Sequence, residues 1–351
     1  MIVFFMISLR MLFDGNTIGN LEDLLGHIAP KGFIMPQIYT THSSNLLPFI
    51  RFFEKHRVDW RKIACKHHIP EDIDTHIRWL SSTQAMAFLM DMVRHSKKRV
   101  GLEVGKLITL DQISPELDSV ISRCQTLSDA IHQLIQIVPT LSSHVLVWVE
   151  RINGHWYLCH RGAYHPASEG FDQTEWFRSY ALLSLCRQFL GAKWVPKHVQ
   201  MSFPRHLAND LPLEFIETEI TFSHTFGAIR IEVEENFAPV DASHHHIDWI
   251  ESVKRLSMTY GVLPHFTVDW FANLLGMSTR TLQRYLTDHG TSLKKLRDAS
   301  RYHLAKQLLG NEKKLPHEVA WQCGYNDLSN FNRAFKAWEG VTPAQFRHRS
   351  T

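Results

Sequence analysis

Two stretches of this chain repeat one small-residue spacing, and that repetition constrains the fold more than any other feature. In the first stretch Ala272 is followed four residues later by Gly276; in the second Ala320 is followed four residues later by Gly324, so the copies lie 48 residues apart. A small residue lets two helices approach closely, and a glycine accepts the positive φ that a tight inter-helix turn demands. Each stretch therefore predicts a helix pair with a structural turn, at Gly276 and at Gly324. In the first copy Ser278 is placed to cap the second helix, Leu282 and Leu286 face inward, and Arg280, Gln283 and Arg284 share the outer face at i, i+3 and i+4. In the second copy Asp327 can cap, while Phe331, Phe335 and Trp338 form the apolar stripe. Ser329, Asn332, Arg333 and Lys336 are left facing out, with Asn330 beside them.

Those outer faces suit one chemistry. Arginine can bind guanine bidentately and glutamine can bind adenine in the major groove of DNA. The expected DNA-binding set is Ser278, Arg280, Gln283, Arg284, Ser329, Asn330, Asn332, Arg333 and Lys336. Between the copies, Ser292 to Leu309 reads as one helix with Leu293, Leu296, Ser300, Leu304 and Leu308 on a stripe, ended by Gly310. Eighteen residues at about 1.5 Å each span roughly 27 Å. A spacer of that order can set two helices into successive major grooves, about 34 Å apart on one face of the duplex. Thr342-Pro343 then predicts a closing helix, with Thr as N-cap and Pro at the first position. Charge is distributed in keeping with a polyanionic partner: residues 241–351 hold 15 Lys+Arg against 10 Asp+Glu, whereas residues 1–240 hold 23 against 25.

Ahead of this region the pattern differs. At 351 residues the chain exceeds what one core usually organises, which implies two domains. Residues 1–34 show an apolar patch and scattered glycines without periodicity, and are expected to be an N-terminal extension preceding Met35. From Leu46 to about Leu107 the spacing is helical, with Met86, Leu89, Met90 and Val93 on one stripe. Thr126 should cap a helix that buries Ala130, Leu134, Ile137 and Val138. Val145 to Val149 and Trp156 to Cys159, joined across Asn153-Gly154, predict a β-hairpin. A helix over 175–190 and strands over 199–203, 219–222 and 228–233 complete an α+β domain, expected at 46–237 with antiparallel strands. Residues 238–246 read as a linker, and 247–351 as an all-helical domain.

Several function classes are disfavoured. Hydrophobic residues at 44% and charged residues at 21% exclude a disordered or fibrous chain. The longest apolar run, Met1 to Leu9, falls short of the roughly 20 residues a membrane span needs. The five cysteines are scattered without a C-x-x-C pair, which implies a reducing cytoplasmic setting. His67-His68 and His244-His245-His246 lack the spacing that converges on a metal ion, so no metal and no cofactor are expected. G-x-S-x-G, Walker and G-x-G-x-x-G motifs are missing, so catalysis is not expected.

The C-terminal third resembles the AraC/XylS family of bacterial transcription regulators. The likeness rests on Val319-Ala320, Cys323-Gly324-Tyr325, Phe331, Arg333, Phe335-Lys336, Gly340, Thr342-Pro343 and Phe346-Arg347, with Arg301, Ala305 and Leu308-Leu309 matching the linking helix. It implies a domain of two helix-turn-helix units, with Arg280, Gln283 and Arg284 as the base-reading set of the first. Leu328 and Ser329 stand where relatives often carry polar base-readers, which implies a larger backbone-contacting role for the second unit. The α+β part is similar, on Gly101-Leu102, Gly105, Thr126 to Ala130 and Phe203-Pro204, to the effector region of ornithine-utilisation-type regulators. The resemblance implies an activator that binds promoter DNA, senses a small-molecule effector, works with RNA polymerase and forms a homodimer, in which the helix over 175–190 is a candidate contact. The competing reading is a small-molecule-binding enzyme domain fused to a DNA-binding module.

Overall fold

The computed structural model describes residues 37–96, 98–166, 168–208, 211–234, 237–239 and 248–349. Residues 1–34, read as an extension, and residues 240–246 of the expected linker lie outside the described residues. The fold below belongs to the unit Ile38–Thr351.

In its sheet-containing N-terminal part, strand β1 (Thr40–His42) leads through a 3-10 turn (Ser43–Leu46) into α1 (Leu47–Lys55) and α2 (Trp60–Lys66). Strand β2 (Trp79–Ser81) pairs antiparallel with β1, Thr41 opposite Leu80. Helices α3 (Ser82–Ser96), α4 (Val100–Gly105), α5 (Leu110–Ile113), α6 (Pro115–Ile121) and α7 (Leu127–Leu141) follow. Thr126 caps α7 as expected, its Oγ1 accepting from Asp129 N at 3.1 Å. The expected stripe on α3 is displaced: Phe88 and Met92 are fully buried with Leu89 and Met90, while Met86 and Val93 are half-buried. On α7 Ile131 and Ile135 join Ala130 and Leu134 in the core, and Ile137 and Val138 are half-buried.

Strands β3 (Val145–Ile152) and β4 (His155–Gly162) form the expected hairpin. Asn153 (φ 50°) and Gly154 (φ 83°) take the left-handed conformation that lets a two-residue turn follow the strand twist. Helix α8 (Phe171–Leu190) and strands β5 (His198–Gln200), β6 (Glu219–Thr221) and β7 (Gly227–Ile231) complete a five-stranded sheet of order β3-β4-β7-β5-β6. One pairing departs from expectation: β5 and β6 run parallel. Alternation along β4 serves both sheet faces, since Tyr157 and Cys159 cluster with Ala228 while Leu158 and His160 are buried as well.

Helix α8 is the spine of this part. Trp176, Phe177, Tyr180, Leu182, Leu183, Leu185 and Cys186 are all buried along it. It meets α4 closely at Gly101, whose N–H donates to Gln173 Oε1 at 2.9 Å; a Cβ at Gly101 would stand 1.8 Å from the Gln173 carbonyl oxygen. Of the helix over 175–190, the part through Cys186 is mostly buried within the fold, while Arg187 to Leu190 reach the surface.

The helical C-terminal part runs α9 (Trp249–Tyr260), α10 (Val268–Leu274), α11 (Thr279–Asp288), α12 (Leu293–Gly310), α13 (Pro316–Gln322), α14 (Leu328–Glu339) and α15 (Pro343–Arg349). Gly310 stays within α12, and the cap is Asn311. The α9 helix buries Trp249, Val253, Leu256 and Tyr260 and packs against the β1–β2 ribbon. There Thr259 Oγ1 donates to the Trp79 carbonyl at 2.6 Å, and the Arg255 guanidinium lies 4.2 Å from the Trp79 ring centroid. His68 and Trp270 meet edge to face at 5.2 Å.

Candidate nucleic-acid interface

Both repeated stretches fold as a helix, a tight turn and a second helix. In the first, α10 is capped by Thr267, and Thr279 Oγ1 at the start of α11 donates to Asp269 Oδ1 at 2.8 Å, fixing the angle between the helices. Gly276 has φ +68°. Ser278 caps α11, its Oγ accepting from Thr281 N at 3.2 Å. The inner face holds Leu282 and Leu286, as the spacing predicts, and also Tyr285, which packs against Trp249 with ring centroids 5.4 Å apart. Arg280, Gln283 and Arg284 are exposed together on the opposite side. The Arg284 guanidinium lies 5.1 Å from the Tyr285 ring, which steadies a long side chain without burying its charge.

In the second stretch Val319, Ala320, Cys323, Phe331 and Phe335 share a core with Ala305, Leu308 and Leu309 of α12, and Tyr325, Trp338 and Phe346 pack on it. Burial pushes the Cys323 thiol up to about 12, so this cysteine acts as a small apolar residue. Gly324 has φ +73°. Asp327 caps α14, its Oδ1 accepting from Asn330 N at 2.7 Å. Ser329, Asn330, Arg333 and Lys336 are exposed, while Asn332 is half-buried, so it is less available than its helical position suggests. Arg333 donates to the Asn330 side-chain oxygen, which ties two of the expected residues together.

Helix α12 joins the pairs, and its Arg301 lies between the loop after α9 and the turn of the second pair. Its Nε donates to the Gly261 carbonyl at 3.3 Å and its guanidinium sits 4.8 Å from the Tyr325 ring. The closing helix is fixed by Thr342, which takes the Gln345 amide at 3.3 Å while Gln345 Oε1 accepts from Thr342 N at 3.0 Å. Trp321, 74% exposed on α13, is a surface aromatic that the small-residue spacing did not single out.

A family described as "Helix-turn-helix domain" matches residues 271–349. The C-terminal region is a helix-turn-helix domain of the AraC type. The chain is 38% identical over 89 residues to an uncharacterised HTH-type transcriptional regulator of Mycobacterium tuberculosis, covering 25% of each protein. It is 40% identical over 76 residues to the ornithine utilization regulator of Pseudomonas aeruginosa, covering 22% of each. It is also 23% identical over 180 residues to the transcriptional activator RhrA of Rhizobium meliloti, covering 48% of this chain and 56% of that one. The chain thus spans about a quarter of the length of the first two relatives.

Among the described residues no group of three His, Cys, Asp or Glu side chains is placed to hold a metal ion. His67 instead contacts Asp91 at 2.7 Å, where Lys66 and Arg94 also converge and hold that carboxylate far below the ordinary Asp range. His244–His246 lie outside the described residues. No described helix is long and apolar enough to cross a membrane.

Proposed function

We propose that this protein is a sequence-specific regulator of transcription that places α11 and α14 in successive major grooves of promoter DNA. The observation that carries the reading is the placement of two capped helices, with polar outer faces, on either side of the single helix α12. Arg280, Gln283 and Arg284 are the base-reading set; Ser329, Arg333 and Lys336 act mainly on the backbone, with Ser278 and Asn330 at the helix starts where phosphate contacts form. Asn332 contributes least. Activation is the mode the name of the RhrA relative supports, with RNA polymerase as the partner it would act on.

The N-terminal part, taken as a domain over 46–237, senses a small molecule and mediates self-association. Support for sensing comes from a cavity of about 170 Å³, open on one side, lined mainly by α3, α7, α8 and the start of β3. The β1–β2 ribbon supports its coupling to DNA, because Thr41 beside β2 and Ser82 just after it line the cavity while Trp79 carries the contacts to α9. Support for self-association comes from Leu213 and Ile216, 88% and 82% exposed on one short turn.

Selection of a site from a random duplex library by the full chain, followed by footprinting, tests the reading. Protection of about two helical turns per chain is expected. Equal affinity for selected and random duplexes would overturn it.

A further inference from the structure

Helix α8 carries Thr174, Phe177, Arg178, Ala181 and Leu182 onto the cavity, a spacing of i, i+3, i+4, i+7 and i+8 that marks the core stripe of a helix. An arginine, half-buried, therefore stands on this stripe. Among the described residues lining the cavity, Arg178 is the only Lys, Arg, Asp or Glu, and the other walls are largely aliphatic, including Met86, Leu89 and Leu134.

The guanidinium is poorly compensated. Its Nε donates to His160 Nδ1 at 3.4 Å, and its charge lies 5.7 Å from the Phe171 ring centroid. It forms no ion pair among the described residues. Glu175 is the nearest opposing charge, but its two carboxylate oxygens are committed to the Ser202 amide and hydroxyl, each at 2.7 Å. The histidines add no second cation: burial draws His144 down to about 3 and His160 well below its ordinary value. His144 is further occupied by the hydroxyls of Ser82 at 3.0 Å and Ser142 at 2.6 Å. This half-buried guanidinium has no carboxylate within ion-pair distance among the described residues, and its planar fork matches a carboxylate in two parallel hydrogen bonds.

We propose that the cavity binds a monocarboxylate with a compact apolar body, whose carboxylate pairs with Arg178. Size follows from volume: a cavity of about 150 Å³ accommodates benzene, so this one suits an apolar body slightly larger than benzene, with any further atoms reaching its open mouth. A single cation facing aliphatic walls favours a monoanion over a phosphate dianion or an amine. The assignment rests on the reading of the N-terminal part as an effector domain.

Calorimetric titration of the full chain with octanoate, phenylacetate, 1-octanol and octylamine tests it. At least one carboxylate is expected to bind about tenfold or more tightly than the alcohol and the amine. Arg178→Met should remove that preference while leaving 1-octanol binding in place; Arg178→Lys should retain part of it, and Ala181→Phe, which fills the cavity, should abolish binding of every probe. Melting curves establish that each variant is folded, and Arg178→Lys with Ala181→Phe carries the test if Arg178→Met is not. Equal affinity for octanoate, phenylacetate and 1-octanol in the parent protein, lost in Ala181→Phe, would overturn the carboxylate assignment and leave the effector site standing. No binding of any probe, with DNA affinity unchanged by all four, would overturn both.

Discussion

The two helix-turn-helix units share a turn conformation and differ in what surrounds it. Gly276 and Gly324 have φ of +68° and +73°, yet a Cβ on Gly276 would meet nothing within 4 Å, whereas one on Gly324 would stand 2.3 Å from the Val262 carbonyl oxygen. The second turn is therefore wedged against the loop after α9, with Arg301 bracing it, while the first lies at the surface. Their outer faces differ in the same direction. Arg280, Gln283 and Arg284 are exposed on one face, the last against the Tyr285 ring, whereas in the second unit Arg333 pairs with Asn330 and Asn332 is half-buried. On the proposed reading, the same local motif serves base reading in the first unit and register in the second.

The largest effect expected from this difference is on stability. Gly324→Val adds a strained φ to a collision with backbone that cannot rotate away, and should cost about 3–5 kcal/mol. Gly276→Val carries the strain alone, and should cost about 1–3 kcal/mol. Urea unfolding of the full chain, followed by tryptophan fluorescence, compares the two. Equal losses would show that the contact with Val262 yields at little cost and that the two turns are equivalent after all.

DNA binding sharpens the comparison next. Arg284→Ala should lower affinity for the selected site by about 1–3 kcal/mol with a smaller change on random duplex, as loss of a base contact does. Arg333→Ala should weaken both duplexes alike and reduce the slope of log affinity against log salt by about 0.9, as loss of one phosphate contact does. Fluorescence anisotropy across a salt series measures both. A uniform loss for Arg284→Ala would move the first unit into the backbone-holding class and erase the distinction.

Legibility in the sequence follows how local each determinant is. The turns at Gly276 and Gly324, the hairpin at Asn153-Gly154 and the caps at Thr126, Ser278 and Asp327 each depend on one or two neighbouring residues, so spacing exposed them. Strands β1 and β2 are three residues each, too short to show alternation, and exist because they pair with each other across the 3-10 turn and α1–α2. The direction of β6 was equally hidden, since a parallel pairing is set by the path of the chain between strands. Arg178 was passed over because a charged residue is read by default as surface; its helical register with Phe177, Ala181 and Leu182 was the available signal. The linking role of Arg301 at Gly261 and Tyr325 belongs to no motif of spacing alone, because its partners lie on separate segments.

The smallest effect expected concerns the caps. Ser278 and Asp327 hold equivalent positions, each accepting an N–H three residues on, but Asp327 does so at 2.7 Å and Ser278 at 3.2 Å. A carboxylate also meets the positive end of the helix dipole, which a hydroxyl does not. Asp327→Ala should therefore cost about 1–2 kcal/mol and Ser278→Ala about 0.5–1 kcal/mol. The Ser278 hydroxyl has a second neighbour in Thr281 Oγ1 at 2.8 Å, which can rotate toward the freed amides and reduce the loss further. Thermal melts of the two variants, repeated in high salt, separate the contributions, since salt screens the dipole interaction and leaves the hydrogen bond. A gap that persists undiminished in salt would place the difference in hydrogen-bond geometry; a gap that closes would place it in charge, and the second unit would then be the more salt-sensitive of the two even without DNA.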